Sequence, residues 1–203
     1  FLESQNSINF KVNIIEQVKY FYKSKPRGNW DPKDVFHNKN VLLIGTGPSS
    51  IAYKKYIEEF INIYNPIVIA LNLNISIKEK LINYRVVSNP VRMMTDSNNY
   101  SAVKQPIISP KSMLNDELSH IFDSSDILDY GFEVKEGIFE KKSNNYSIIP
   151  CHLGLAYAMA VLNSGGANEI FLVGFDGYPN DRKRSDVSLG IFNLYKSYKD
   201  FAR

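Results

Sequence analysis

The chain reads as a three-layer α/β domain, and three observations predict it. Short apolar runs recur at Val41–Ile44, Ile67–Leu71, Arg85–Val87, Pro106–Ile108 and Glu169–Asp176. Helical patterns separate several of these runs, an alternation that favours right-handed crossovers and a parallel sheet. The first run enters a glycine turn, Gly45-Thr46-Gly47-Pro48-Ser49-Ser50, at the head of a long helical stretch. Together these describe a Rossmann-like domain with a mostly parallel sheet and a small antiparallel or edge insertion.

The elements follow in order. Residues 1–30 read as a lead-in helix and linker, with apolar positions at Ile14, Ile15, Val18 and Phe21. The breaker cluster Lys25–Pro32 ends that helix, and Trp30 within it reads as a packing anchor. Residues 31–203 read as a single nucleotide-binding domain. Strand Val41–Ile44 leads to a helix from about Ser49 to Tyr64, and strand Ile67–Leu71 to a short helix around Ile77–Ile82. The third run stops at Ser88-Asn89-Pro90 and the fourth at Ser109-Pro110. Asp126–Val134 and Phe139–Ile149 alternate weakly, as two strands of the insertion would. Pro150–Leu162 is apolar nearly all round, which predicts a buried helix, stopped by Gly165 and Gly166. Val187–Phe201 carries Leu189, Phe192, Leu194, Tyr195 and Tyr198 and predicts a closing helix.

Composition narrows the class. A chain of 203 residues with 44% hydrophobic and 13% aromatic content can bury the core of one ordinary domain. No apolar run is long enough for a membrane helix. Net charge is +3, from 24 basic and 21 acidic residues, and no basic stripe interleaves with aromatics, so nucleic acid is not an expected partner. Cys151 is the single cysteine, which excludes an internal disulfide and fits a reducing, cytoplasmic setting. The first residue is Phe1, with no signal-peptide pattern after it, and the chain reads as one domain of a longer protein. His37, His120 and His152 are scattered, with no spacing of metal ligands, so no metal is expected.

In an open α/β sheet, ligands sit outside the carboxyl ends of the strands. Here those ends offer Gly45, Thr46, Gly47, Pro48 and Ser49, then Asn72 and Asn74, then Ser88, Asn89, Pro90 and Arg92, and finally Gly174, Asp176, Gly177 and Tyr178. Small residues, amides, one arginine and one acid suit a phosphate, a ribose and a base or sugar. Glycine lets the backbone approach a phosphate, and the helix start after it offers unpaired N–H groups. Ser50 replaces the third glycine of the dinucleotide fingerprint, and Asn72 stands where a ribose-binding acid is expected. The pattern therefore favours a phosphate-bearing ligand other than NAD. No phosphate loop of the Gly-Lys-Ser/Thr kind and no nucleophile elbow is present.

Each residue also has a plainer role. Gly45 and Gly47 can simply make a tight turn, Asn72 can satisfy loop backbone, and Asn89-Pro90 can be an ordinary turn. Arg92 is either a surface charge or a bidentate phosphate contact. Asp176 either caps its loop or acts as a base. His152, at a helix start that favours the neutral ring, is either structural or a general base. Cys151 is either a small buried apolar residue or a neighbour of the ligand. Tyr178 either holds a sugar or covers the sheet end.

Two stretches together resemble a known family. They are Val41–Ser49 with Ile67–Asn72 and Ser88-Asn89-Pro90, and Ile149–Ala158 with Glu169–Tyr178. The combination resembles the C-terminal domain of 4-hydroxy-2-oxovalerate aldolase-like proteins from bacterial surface-carbohydrate gene clusters. The likeness runs from about Tyr20 to Tyr178 and includes Asn89-Pro90-Val91-Arg92. It implies an aldolase-like (lyase) domain as partner in the parent chain, although none of the aldolase barrel lies in these residues. More distantly, the same landmarks look like Rossmann-like bacterial sialyltransferases that use CMP-linked sugars. That resemblance implies a nucleotide-sugar site lined by Gly45, Gly47, Pro48, Ser49, Asn72 and Asn89, with Pro150, Cys151 and His152 near the sugar or phosphates. The sequence departs from it in having no histidine after His152 and Tyr178 as the one close tyrosine.

The leading expectation is a nucleotide or nucleotide-sugar binding domain of surface-carbohydrate biosynthesis, with glycosyltransferase-like activity if catalytic and His152 or Asp176 as base. The sequence itself requires no cofactor. The alternatives are a non-catalytic regulatory or docking module of the aldolase, and an NAD(P)-dependent oxidoreductase. Asn72 and the lack of a Tyr-x-x-x-Lys pattern count against the oxidoreductase; a methyltransferase is a fourth, for which the acid after the second strand is likewise missing.

Overall fold

A computed structural model gives the architecture and describes residues 15–25, 28–73, 76–123 and 125–176. Asn74, Gly177, Tyr178 and the expected closing helix lie outside the described residues. Helix α1 runs through residues 15–23, and α2 spans Lys33–Phe36. Strand β1 (Asn40–Ile44) leads through α3 (Pro48–Ala52) and α4 (Lys54–Tyr64) to β2 (Ile67–Leu71). Then come β3 (Tyr84–Val86), α5 (Pro90–Thr95), β4 (Ile107–Ser109), α6 (Asp116–Ser119) and β5 (Ile127–Asp129). A second sheet follows, from β6 (Gly131–Val134), β7 (Glu140–Ser143) and β8 (Tyr146–Ile149). Helix α7 (Gly154–Gly165) returns the chain to β9 (Glu169–Val173).

Among the described residues the main sheet has six strands in the order β5-β4-β3-β2-β1-β9, every neighbouring pair parallel. The chain steps outward from β1 to β5, then returns to the other flank of β1. Residue Ile44 therefore pairs with Ala70 on one side and Val173 on the other. That reversal is a topological switch point, the place where such sheets open a crevice at their carboxyl edge.

Alternation along the strands makes the three layers. Val41, Leu43 and Ile69 enter one core; Leu42, Ile44, Val68 and Ala70 enter the other. Helix α4 closes the second core with Ile57 and Ile61. Helix α7 lies in the first core and packs against β2 on one side and against β7 and β8 on the other. Two sheets enclosing one helix explain why it is apolar all round, as the sequence predicts.

Five expectations change. The helix expected from Ser49 to Tyr64 breaks at Tyr53 into α3 and α4. Ser76 Oγ donates to the Ser50 carbonyl at 2.8 Å, taking the acceptor an unbroken helix offers to residue 54. Ile77–Ile82 holds only a 3₁₀ turn, Glu79–Leu81, anchored by buried Ile77 and Ile82. Asp126–Val134 is two strands in two sheets, with Tyr130 as the pivot: its ring is buried and its Oη lies 2.6 Å from Ser147 Oγ. Phe139–Ile149 is a hairpin rather than one strand. The insertion is mixed and not purely antiparallel, because β6 pairs parallel to β8 while β7 pairs antiparallel.

The lead-in segment joins the core. Phe21 is buried, with its ring 5.8 Å from that of Phe132, and Trp30 meets Phe36 edge-on at 6.0 Å as a packing anchor. Asn29 and Trp30 donate their N–H groups to the Asp129 carbonyl at 3.1 and 3.2 Å. Gly28 has no room for a side chain, since a Cβ would lie 2.7 Å from the Asp129 carbonyl oxygen and 2.9 Å from Gly131 N.

Candidate functional site

The glycine turn sits at the switch point, where the β1 and β9 loops bind each other. Gly45 N–H donates to Val173 O at 2.8 Å, Gly47 N–H to Gly174 O at 2.9 Å, and Gly174 N–H to Ser49 Oγ at 3.2 Å. Ser49 N–H, the donor at the start of α3, points at Asp176 Oδ2 at 2.9 Å. A Cβ on Gly47 would lie 2.7 Å from the Gly174 carbonyl oxygen and closer still to Asp176 Oδ2. On Gly174, with φ of +78°, a Cβ would lie 2.5 Å from the Gly45 carbonyl oxygen. The glycines are thus required by contact between two loops of the chain. The space and the donor that the sequence assigns to a phosphate are taken by the chain's own β9 loop. Thr46 and Pro48 are exposed on the outside of the turn. The Ser49 hydrogen bonds hold the Asp176 carboxyl below its ordinary range, which makes it a weak base.

Asn72 follows β2 in the left-handed conformation, φ 63°, which asparagine tolerates. Its N–H donates to Val86 O at 2.9 Å and its carbonyl accepts from Arg85 Nη1 at 3.0 Å. Arg85 is 2% exposed; it also donates to the Leu73 carbonyl and, through Nη2, to both carboxylate oxygens of Glu79. Sequence reasoning read Arg85 as part of an apolar run; its signal was a charge inside that run with Glu79 six residues earlier.

Asn89 is the N-cap of α5, its Oδ1 accepting from Val91 N at 2.9 Å and Arg92 N at 3.2 Å. Its Nδ2 makes no hydrogen bond among the described residues, leaving a donor for a ligand. Arg92 is exposed on α5.

A narrow crevice is lined by Tyr22, Ser88, Asn89, Phe132, Ile149, His152 and Leu153. It unites Asn89 with His152; Arg92 and Cys151 are not among its lining residues. Ser88 is 7% exposed, and its hydroxyl has no hydrogen-bond partner among the described residues. Beside it begins the 12-residue α7, whose N-cap is Leu153, with no side-chain cap and no acid in its first turn. A Cβ on Gly154 would touch Leu71 Cδ2 at 3.5 Å, so this helix start lies by the carboxyl end of β2. Partial burial holds the His152 imidazole below its ordinary pKa, so it is neutral near pH 7 and can accept a proton. Its ring meets Tyr22 edge-on, centroids 4.3 Å apart at 71°. Tyr22 is a member of this crevice that the sequence does not reveal, because it lies far away in the chain; Ser88 is one of the strand-end residues the sequence offers. Cys151 is half-buried, its thiol pushed up by burial, which leaves it unreactive. Among the described residues no group of His, Cys, Asp and Glu is placed to hold a metal ion, and no helix is long and apolar enough to cross a membrane.

No family model matches the chain, and no curated protein matches it. A solved structure, that of the MAf glycosyltransferase from Magnetospirillum magneticum AMB-1, is similar over 84% of this chain and 28% of its own, with a TM-score of 0.51 and 11% identity. The chain thus spans under a third of that protein's length, and the likeness is one of fold.

Proposed function

We propose that the domain binds a nucleotide-sugar, or its nucleotide, along the carboxyl edge of the main sheet and serves a glycosyltransferase-like reaction. One observation carries this reading: Ser88, 7% exposed and with no described hydrogen bond from its hydroxyl, lines the same crevice as Leu153, the N-cap at the uncapped start of α7. A helix start of this length attracts an anion, and a hydroxyl without a protein partner can donate to one. The fold likeness to a glycosyltransferase supports the same class.

In this reading the ligand's phosphate lies between Ser88 and the first N–H groups of α7, and Asn89 Nδ2 donates to a ribose or sugar hydroxyl. Asn72 and the turn Gly45–Ser49 flank the nucleoside, the turn through its exposed residues Thr46 and Pro48. Arg92 belongs to the rim, and Cys151 supports the backbone before α7; Tyr178, a candidate from the sequence, lies outside the described residues. His152 is the base. It takes the proton of an acceptor hydroxyl as that oxygen bonds to the anomeric carbon. The bond from that carbon to the phosphate oxygen breaks, and the nucleotide leaves with the electron pair, stabilised by the helix start. Asp176 is the weaker candidate base, because Ser49 already holds its carboxylate.

A place beside an aldolase-like enzyme of surface-carbohydrate biosynthesis rests on the resemblance carried by Val41–Ser49, Ile67–Asn72 and Ser88-Asn89-Pro90, and by Ile149–Ala158 with Glu169–Tyr178. The non-catalytic docking reading is favoured by one further observation: Tyr53, Tyr56, Ile63 and Tyr64 are exposed along α4 and its lead-in. Titration calorimetry of the chain with CMP, UDP, GDP, a CMP-linked sugar and NAD tests the proposal. Selective micromolar binding of a nucleotide or its sugar supports it. A folded sample that gives no heat with any of them refutes it, and binding of NAD alone transfers the site to redox chemistry.

A further inference from the structure

We propose that Tyr22, carried by the lead-in helix, is a positioning residue that fixes the His152 ring for the ligand; this rests on the nucleotide-sugar reading above. Phe21 is fully buried and packs on Phe132, itself a wall of the crevice. Its neighbour Tyr22 is thereby held at the crevice mouth, 38% exposed. There its ring meets the His152 imidazole with centroids 4.3 Å apart and planes at 71°. Edge-to-face contact of this kind has a preferred geometry and so restrains the ring plane.

No described hydrogen bond restrains that ring. His152 makes no hydrogen bond through either nitrogen among the described residues. Most working histidines are oriented by a hydrogen bond on one nitrogen. Here an aromatic edge takes that role, and both nitrogens stay free for a ligand hydroxyl or phosphate oxygen. The surroundings of the ring carry no described charge: α1 contributes Tyr22, the loop after β3 contributes Ser88 and Asn89, β6 and β8 contribute Phe132 and Ile149, and its own loop contributes Cys151 and Leu153. Partial burial alone holds its pKa down, and Tyr22 is part of that burial.

The test uses the whole chain with histidine-selective nitrogen-15 labelling. The three histidines give three ring signals, and His152→Ala identifies the third. In Tyr22→Ala, the His152 midpoint should rise toward the ordinary histidine value and its ring signal should move as the aromatic edge is lost. The same variant should bind a CMP-linked sugar about threefold to tenfold more weakly, the worth of one aromatic pair. Tyr22→Phe keeps the edge and should restore the midpoint, the ring signal and the affinity. An unchanged His152 signal in Tyr22→Ala, or wild-type affinity in that variant, overturns the proposal. Absence of nucleotide-sugar binding by the unaltered chain is a different result: it overturns the functional reading itself.

Discussion

Replacing Gly47 by alanine asks what the glycine turn is for. Gly47 has φ −70° and ψ 161°, a conformation open to any residue, so alanine brings no backbone strain. The cost is steric. The new Cβ would lie 2.7 Å from the Gly174 carbonyl oxygen, and closer to Asp176 Oδ2. The carbonyl is backbone and cannot swing aside; the carboxylate can, at the loss of its 2.9 Å bond from Ser49 N–H. Overpacking of this kind costs about 1–3 kcal/mol. The lost bond adds about 1 kcal/mol, below the usual value for a charged acceptor because Asp176 is exposed. The ligand-free chain should therefore lose about 2–4 kcal/mol in guanidinium unfolding. Adding Asp176→Ala removes one of the two clashes, so the double variant should lose about 1 kcal/mol less than the sum of the singles. If Gly47→Ala unfolds at the wild-type denaturant concentration and loses only nucleotide binding, the glycine exists for ligand approach and the reasoning fails.

Three further outcomes are expected. Asn89→Ala removes the α5 cap and should cost about 1 kcal/mol in thermal unfolding. Asn89→Asp keeps the cap but loses Nδ2 and adds charge, so stability should hold while calorimetric affinity for a nucleotide-sugar falls about tenfold; equal binding by both variants would remove Asn89 from the site. Arg85→Met leaves the Asn72 and Leu73 carbonyls and Glu79 without their partner and should cost about 2–3 kcal/mol, with faster amide exchange around residues 72–73; unchanged exchange there would show that Arg85 does not hold the loop. Asp176, with its folded pKa below the ordinary 3.8, contributes stability that is complete above that value and lost as pH falls through the folded one. Melting temperature should fall in that acid window, and Asp176→Asn should remove that part of the slope; an identical acid profile in the variant would show that the Ser49 contact contributes nothing.

Much of the architecture is legible from local pattern. Val41–Ile44 and Ile67–Leu71 are apolar without alternation because strands buried on both faces must be, while the run from Glu169 forms β9, which is only half-buried. The apolar stretch expected over Pro150–Leu162 holds α7, which begins later, at Gly154, and is apolar all round because two sheets enclose it. Apolar runs also located the ends of β1 and β2 and, to within a residue, that of β3, and with them Asn89 and the glycine turn; the run Glu169–Asp176 contains β9, which ends at Val173. Hydrophobic period reports how a segment meets its surroundings, and for these segments the surroundings are uniform.

Pairing between distant segments leaves no such mark. That β9 lies beside β1, so that Asp176 reaches Ser49 across the turn, follows from where a helix can cross a sheet, not from either loop's composition. The same holds for the division of Asp126–Val134 between two sheets, for Arg85 buried against loop carbonyls, and for Tyr22 against His152. Residue types along this chain determined the α/β class and the parallel strands of the main sheet. The tertiary structure decided which glycines touch backbone, which asparagine is a cap and which helix start is left open, because steric exclusion and hydrogen-bond competition act between residues far apart in sequence.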